Sequence, residues 1–177
     1  MSLNTEQALT LRQWLAASAD PEVVAFLAAS SPNVQAMAAW FDAPSAFVAW
    51  RSLVTEHEIT STVSSAGTSW SWPAFIARSQ AERDGWARMF NGTYTINPSQ
   101  ANVRQGFADI FSGASNNAPA QRAHLSAICK RFASRGEAIF ASGAGTTATP
   151  GTLGYEGDIT EHDVARAIYN DDGTRAV

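Results

Sequence analysis

The sequence has one cysteine and one lysine among 177 residues, and charged residues make up only 16% of it, below the ordinary level of about 25%. A single cysteine, Cys129, cannot form an internal disulfide, so the fold needs no oxidising compartment. No apolar run reaches the roughly 18–20 residues of a membrane span. The first residues lack the basic and apolar regions of a secretory signal. We therefore expect the protein to remain where it is made, or in a particle assembled there.

Large apolar side chains are plentiful in this sequence. Hydrophobic residues make up 45% of it, with six Trp, nine Phe and three Tyr. Aromatic side chains contribute most per residue to buried area, so the chain can fold around a sizeable core and is not disordered. The length predicts one domain that covers residues 1–177.

Signals for the start of a helix recur along the chain. Asp20-Pro21-Glu22 combines an N-cap acceptor, a proline at the first helical position and an acid near the positive end of the helix dipole. Ser134–Glu137 and Thr160–Asp163 have the pattern of capping boxes. Apolar residues at helical spacing over 103–111 predict an amphipathic helix, and the apolar run 47–54 is interpreted as a short helix that ends before Thr60.

Two segments differ in composition from these helices. Residues 61–72 are β-branched and small, with Trp70 and Trp72 alternating with serines, and they favour a short strand or hairpin. The tract from Gly143 to Gly154 is rich in glycine, threonine and proline and cannot form a regular helix. We expect it to be an ordered loop or a docking arm.

These patterns together predict a mainly α fold. It is a compact bundle of about seven or eight short helices, with a small β hairpin or strand pair and a Gly/Thr/Pro-rich arm. The predicted segments are N-terminal helices over 1–60, a β-like segment over 61–72, central helices over 73–142, an extended arm over 143–158 and a C-terminal helix over 159–170.

Charge is unevenly distributed along the chain, although the net charge is only −4 and produces no overall attraction for nucleic acid or an anionic membrane. Eight basic and three acidic residues lie between Arg78 and Arg135, whereas six acids and two arginines lie from Glu156 onward. The two regions are either solvated faces, or surfaces that dock on each other within one subunit or between neighbours in a ring.

Few residues suggest catalysis or metal binding. His57, His124 and His162 are too far apart for a recognised metal-ligand spacing, so we expect structural or solvated roles for them. Cys129 lies on an apolar helical stripe, as a small hydrophobic residue would. The glycines at 143–145 lack the preceding strand and the lysine of a phosphate-binding loop. We predict no enzyme, no catalytic residue, no metal ligand and no cofactor.

A nucleic-acid interface is the main alternative suggested by residue types. Trp70 and Trp72 could stack on single-stranded bases, and residues 98–132 could form a helix-turn-helix that carries Arg104. Only one basic residue lies close to the two tryptophans, and the connection from Gly113 to Pro119 is longer than the usual turn. Packing in the core or at a subunit interface is the expected role of the tryptophans, and nucleic acid is not expected as a partner except where the protein lines a channel.

Several strings in the sequence occur together in one family. They are Asn97-Pro98-Ser99, Val103-Arg104, Phe107–Gly113, Lys130-Arg131 with Arg135 and Glu137, Phe140–Gly145, and Glu156–Thr160 with Asp163-Val164. With these strings, residues 80–168 resemble a family of small proteins encoded in the tail and connector regions of tailed bacteriophages and prophages of Gram-negative bacteria. The resemblance implies a role in the virion or in its assembly, and it transfers no catalytic residue.

The resemblance leads to a hypothesis about function. We expect an oligomeric adaptor or connector that links head to tail or tail to fibres, located in the virion and in the host cytoplasm during assembly. Its partners would be further copies of itself in a ring and the portal, tail or fibre proteins, with no membrane. An assembly chaperone that is absent from the finished virion and a small DNA-binding regulator remain alternatives. The expected interface residues are Trp70, Trp72, Arg104, Arg131, Arg135, Gly143, Gly145, Pro150 and Tyr155.

Overall fold

The structure is a computed structural model that describes residues 2–90, 92 and 94–177. The chain divides into two compact units. Unit 1 combines the residues up to Ala49 with Phe132–Val177, and unit 2 is Trp50–Arg131. The prediction of one domain over residues 1–177 stays a prediction.

Ten helices and six short strands lie within the described residues. The helices are α1 Thr5–Ala17, α2 Pro21–Ala28, α3 Val34–Asp42, α4 Glu56–Ser61, α5 Trp72–Ile76, α6 Gln80–Met89, α7 Ala101–Ile110, α8 Ala118–Ile128, α9 Arg135–Ile139 and α10 Glu161–Ile168. The strands are β1 Pro44–Trp50, β2 Val54–Thr55, β3 Thr95–Ile96, β4 Lys130–Ser134, β5 Ala141–Ser142 and β6 Thr152–Leu153.

The prediction of a mainly α bundle is wrong, because the fold is mixed α/β. About 49% of the chain is helical and 13% is strand, in small sheets. Each sheet has two strands: β1 with β4, β2 with β3, and β5 with β6. The pairs β2–β3 and β5–β6 are antiparallel, and each is only two residues long.

The extended segments also lie elsewhere than predicted. The run 47–54, predicted as helix, contributes to β1 and β2, whose β-branched and aromatic residues suit a strand. The helix predicted to carry Cys129 on its apolar stripe ends at Ile128, and β4 follows from Lys130. Conversely, residues 62–71 of the predicted β-like segment form no strand.

Two buried polar side chains of α8 explain why residues 62–71 need no strand partner. Gln121 donates to the carbonyl of Ser69 at 3.2 Å and accepts from the amide of Ser71 at 3.0 Å. The two ring nitrogens of His124 lie 3.0 Å and 2.7 Å from carbonyl oxygens of this loop and of α4. Buried main-chain groups must be paired, and side chains here provide the pairing that a neighbouring strand would otherwise give.

Each unit has its own apolar core. The core of unit 2 is rich in aromatic residues and contains Val54, Ile59, Trp70, Trp86, Phe90, Ile96, Phe107, Ile110, Phe111, Ala118, Leu125, Ile128 and Cys129. The core of unit 1 is more aliphatic and contains Leu3, Leu11, Leu15, Val23, Met37, Ala38, Phe41, Tyr155, Ile159, Val164, Ala167 and Ile168.

The helix starts predicted at Asp20, Ser134 and Thr160 are confirmed. Asp20 accepts hydrogen bonds from the first amides of α2. Reciprocal capping boxes open α9 at Ser134 with Glu137 and α10 at Thr160 with Asp163. These signals are reliable because the cap and the amide that it satisfies are only a few residues apart.

The C-termini of four helices (α2, α7, α8 and α10), in contrast, receive hydrogen bonds from arginines in distant parts of the chain. A helix leaves its last carbonyls without an internal partner, and only α6 and α10 of the described helices carry a basic residue in the last turn. In unit 1, Arg12 of α1 donates to three carbonyls around the end of α10, at 2.9–3.0 Å. Arg175 donates to the carbonyls of Leu27 and Ala29, at the end of α2.

The same arrangement closes helices in unit 2. Arg78 donates to the carbonyl of Ser112 at 3.4 Å, and Arg122 donates to the carbonyls of Phe111 and Gly113, all just beyond α7. Arg51 donates to the last carbonyl of α8 at 3.3 Å. Two residues of the basic middle of the sequence, Arg78 and Arg122, therefore have a structural role within unit 2.

A buried carboxylate fixes the N-terminal segment in unit 1. Asp163 accepts from the amide and hydroxyl of Thr160, and also from the Ser2 hydroxyl at 2.7 Å and the Leu3 amide at 2.9 Å. Burial raises the pKa of Asp163, but these hydrogen bonds outweigh burial and hold the pKa below its usual value.

Replacing this carboxylate tests its contribution to stability. Asp163→Asn replaces an acceptor oxygen with an amide donor that faces other donors, and we expect unfolding to become easier by about 2–3 kcal/mol at neutral pH. Because the folded-state pKa is lowered, the benefit is present above the unfolded-state pKa and is lost as pH falls through the folded one. Urea unfolding at pH 7 and at pH 3 should therefore show a smaller difference at the lower pH.

The exposed Asp171 provides the matched control. Asp171→Asn should change the free energy of unfolding by no more than about 0.5 kcal/mol. Equal effects of the two substitutions would contradict the anchoring role of Asp163.

Candidate functional site

The predicted interface residues are distributed over both units. Trp70, Trp72, Arg104 and Arg131 belong to unit 2, whereas Arg135, Gly143, Gly145, Pro150 and Tyr155 belong to unit 1. Their contacts within each unit show which of these side chains pack inside the unit and which are exposed to a partner.

The glycine-rich tract packs on β1 of its own unit. The Val48 amide donates to the carbonyl of Gly145 at 2.8 Å, and the Gly151 amide donates to the carbonyl of Val48 at 2.9 Å. A Cβ at Gly145 or Gly151 would overlap the ring of Phe47. The tract therefore has an intramolecular role, and its predicted contact with a neighbouring subunit stays a prediction.

Arg135 and Tyr155 also make internal contacts in unit 1. The Arg135 guanidinium lies 4.5 Å from the centroid of the Trp40 ring and 3.7 Å from the carboxylate of Glu22. Tyr155 is buried, and its hydroxyl donates to the carbonyl of Asp158 at 2.9 Å. Both residues are engaged in packing within unit 1, and their predicted role at an interface stays a prediction.

Trp70 lies inside an aromatic cluster in unit 2. Its ring centroid lies 4.9 Å from that of Trp86, 5.4 Å from that of Phe75 and 5.7 Å from those of Trp72 and Phe111. Trp70 itself is buried. Its role is thus in the core of unit 2, which is one of the two roles expected for it.

Trp72 and Ile76, in contrast, project from this cluster and form what we call the α5 surface. They are 53% and 63% exposed, and a spacing of four residues puts them on the same side of a helix. Trp72 also packs edge-on against Trp70 and Phe75, which restricts its orientation. Adjacent exposed apolar side chains of this kind are typical of protein contact sites.

A cavity of about 140 Å³ lies between α7 and α8, and we call it the α7–α8 cavity. Its lining includes the apolar residues Phe107, Ala108, Leu125 and Cys129, together with Trp50, Arg104 and Arg122. An apolar lining with a few charged groups is the usual composition of a small binding site.

Two cations approach the indole ring of Trp50 beside this cavity. The Arg104 Cζ lies 4.6 Å from the ring centroid and the Lys130 Nζ lies 5.1 Å from it, both within cation–π distance. Sequence reasoning placed Trp50 in a short helix and gave it no functional role. The three residues are far apart in sequence, so no local pattern could have identified the cluster.

Arg131, the remaining predicted residue, is half-buried in β4 beside Lys130. The structure does not bring it into the lining of the α7–α8 cavity. Its role as an interface residue stays a prediction.

The described residues contain no group of three or more His, Cys, Asp or Glu side chains that could hold a metal ion. Within residues 2–90, 92 and 94–177, no helix has the length and apolar character needed to cross a membrane.

Comparison with protein-family models, curated proteins and solved structures gives no significant match for this chain. The resemblance to tailed-phage proteins therefore stays an expectation from the sequence strings.

Cys129 is chemically protected although it contributes to the cavity lining. Its side chain is 1% exposed. Burial, which outweighs the effect of nearby cations, raises the pKa of its thiol to about 12. Since the thiolate is the reactive form, Cys129 is unsuited to nucleophilic chemistry near neutral pH.

We accordingly expect the thiol of the native protein to resist an aromatic disulfide reagent at pH 8 and to react fully in denaturant. A Cys129→Ala, Ser65→Cys variant is the control, because residue 65 is exposed in the same unit. It should react at least about 100-fold faster than the native thiol. Comparable rates in the two folded proteins would show that Cys129 is accessible and ionised.

Proposed function

We propose that this chain is a structural subunit of a tailed-phage particle, an oligomeric adaptor that links head to tail or tail to fibres. The observation that carries the proposal is the α5 surface, where Trp72 and Ile76 remain exposed on a unit with a well-packed aromatic core. The phage context comes from the sequence resemblance.

The energetics of the α5 surface favour burial against another protein. Trp72 is the one exposed tryptophan of the six, since the others are buried or half-buried. Covering a large apolar side chain contributes about 1.5–3 kcal/mol. Because the Trp72 ring already packs against Trp70 and Phe75, binding would cost little additional side-chain entropy.

The two alternative functions, an assembly chaperone and a DNA-binding regulator, would depend on different surfaces of the protein. An assembly chaperone would also bind its client through the α5 surface, but it would leave before the particle is complete. A DNA-binding regulator would depend on basic residues of unit 2 such as Arg104 and Arg122. Arg122 closes the C-terminal end of α7, so part of that positive charge has a role in the fold.

Quantitative mass spectrometry of purified particles of the encoding phage tests the proposal. We expect this chain at a constant copy number of about five to twelve per particle, as closed ring symmetry would give. Failure to find it in complete particles would contradict the adaptor role and favour the chaperone or the regulator.

A substitution on the α5 surface tests the contact itself. Ile76→Asp puts a charge on the proposed interface and should reduce the yield of infectious particles at least about tenfold. Val63→Asp is the control, because Val63 is 65% exposed in the same unit, nearly the same as Ile76. Both variants should keep the melting temperature of the unaltered protein, and equal yields from them would show that the α5 surface is not the contact.

A further inference from the structure

The second candidate site, the α7–α8 cavity, is made of residues that the α5 surface does not use. We infer that this cavity binds the C-terminal residue of a partner polypeptide, taking its apolar side chain inside and its carboxylate at Arg104 and Arg122. This inference goes beyond the adaptor role and does not depend on it.

The positive charge of Arg104 is held in place without being neutralised by a carboxylate. Its Nη1 donates to the carbonyls of Pro98 and Ser99, both at 2.7 Å, and its guanidinium lies over Trp50. No carboxylate among the described residues pairs with it. These carbonyls precede α7, so Arg104 does not close a helix C-terminus as the arginines described above do.

Arg122 supplies a second fixed cation at the cavity. It donates to main-chain carbonyls through Nη1, and no carboxylate in the described part of the chain pairs with it. Arg51 and Arg135 differ, because they face Glu58 and Glu22. Guanidinium groups held by neutral acceptors form a site prepared for an anion, and a carboxylate matches their planar donors.

The apolar lining determines what must accompany the carboxylate. Phe107, Leu125 and Cys129 offer no charged partner, so an inorganic anion could not fill the cavity favourably. A water molecule, with one heavy atom, occupies about 30 Å³ of liquid. A cavity of about 140 Å³ therefore has room for only a few heavy atoms, which is the size of one aliphatic side chain. A polypeptide C-terminus carries such a side chain and a carboxylate on the same carbon atom.

Nucleic acid fits the cavity less well. Bases would need a free aromatic face, but the indole of Trp50 already has Arg104 and Lys130 over it. Phosphate groups would match the cations and leave the apolar lining unused.

Short peptides test the inference with the full-length protein. The probes are acetyl-Gly-Gly-Leu with a free carboxylate, the same peptide as its amide, and acetyl-Gly-Gly-Gly with a free carboxylate, measured by calorimetry and NMR titration. We expect the leucine acid to bind at least about tenfold more tightly than either other peptide. Equal binding of acid and amide, or no binding of the leucine acid at millimolar concentration, would overturn the inference.

Protein variants identify where the peptide binds. Arg104→Gln should weaken binding of the leucine acid at least about tenfold, and Ala108→Leu should abolish it by filling the cavity while both arginines remain. Arg88→Gln is the control, because Arg88 is an exposed arginine of unit 2 outside the cavity lining. An equal loss in the control, or full binding by Ala108→Leu, would place the peptide elsewhere.

Two further probes distinguish a polypeptide C-terminus from a small free anion. Isovalerate has a branched aliphatic group and a carboxylate but no peptide, and inorganic phosphate has negative charge but no apolar group. Binding of either one as tightly as the leucine acid would exclude the polypeptide C-terminus as the intended ligand. Weaker binding of both supports it. Phage assembly is not measured here, so failure of this test leaves the adaptor proposal standing.

Discussion

Hydrogen bonds from arginine side chains to the carbonyls at helix ends are the interaction on which this fold depends. The described helices are only 5 to 13 residues long. Because the last four carbonyls of any helix have no partner within the helix, a large share of the carbonyls in these short helices needs a partner from elsewhere. Arg12 and Arg122 reach such carbonyls from other elements, and Arg78 binds the carbonyl of Ser112 just beyond α7. Arginine suits the task because its planar group offers several donors in fixed directions, whereas lysine concentrates its charge at one point.

This structural use of arginine changes how the basic middle of the sequence is interpreted. A cluster of basic residues in a chain of net charge −4 could indicate a nucleic-acid surface, but two of its members, Arg78 and Arg122, bind main-chain carbonyls at or just beyond the end of α7. Two other features of unit 2 are not explained by the closing of helix ends. One is the exposed pair Trp72 and Ile76, and the other is Arg104 beside Trp50 and the α7–α8 cavity.

Features made by residues close together in the sequence could be predicted, whereas features made by residues far apart in the sequence could not. The capping boxes at Ser134 and Thr160 were correct because cap and amide are three residues apart. The strand predicted over 61–72 was wrong, because Gln121 and His124 supply the hydrogen bonds from α8. Of the candidate sites, Trp72 was found from its residue type, whereas the cluster at Trp50 joins residues far apart in sequence and gave no local signal.

The free energy of unfolding of single arginine variants tests the central claim most directly. Arg12→Gln, Arg78→Gln and Arg122→Gln should each lose about 1–3 kcal/mol, since each leaves carbonyls at or just beyond a helix end without their arginine partner. Arg88→Gln is the control for charge alone, because Arg88 is exposed in the last turn of α6 and makes no hydrogen bond to a helix-end carbonyl of the described residues, and it should change the value by about 0.5 kcal/mol or less. If all four variants unfold like the unaltered protein, the arginines do not hold the helix ends and the account of the basic residues is wrong.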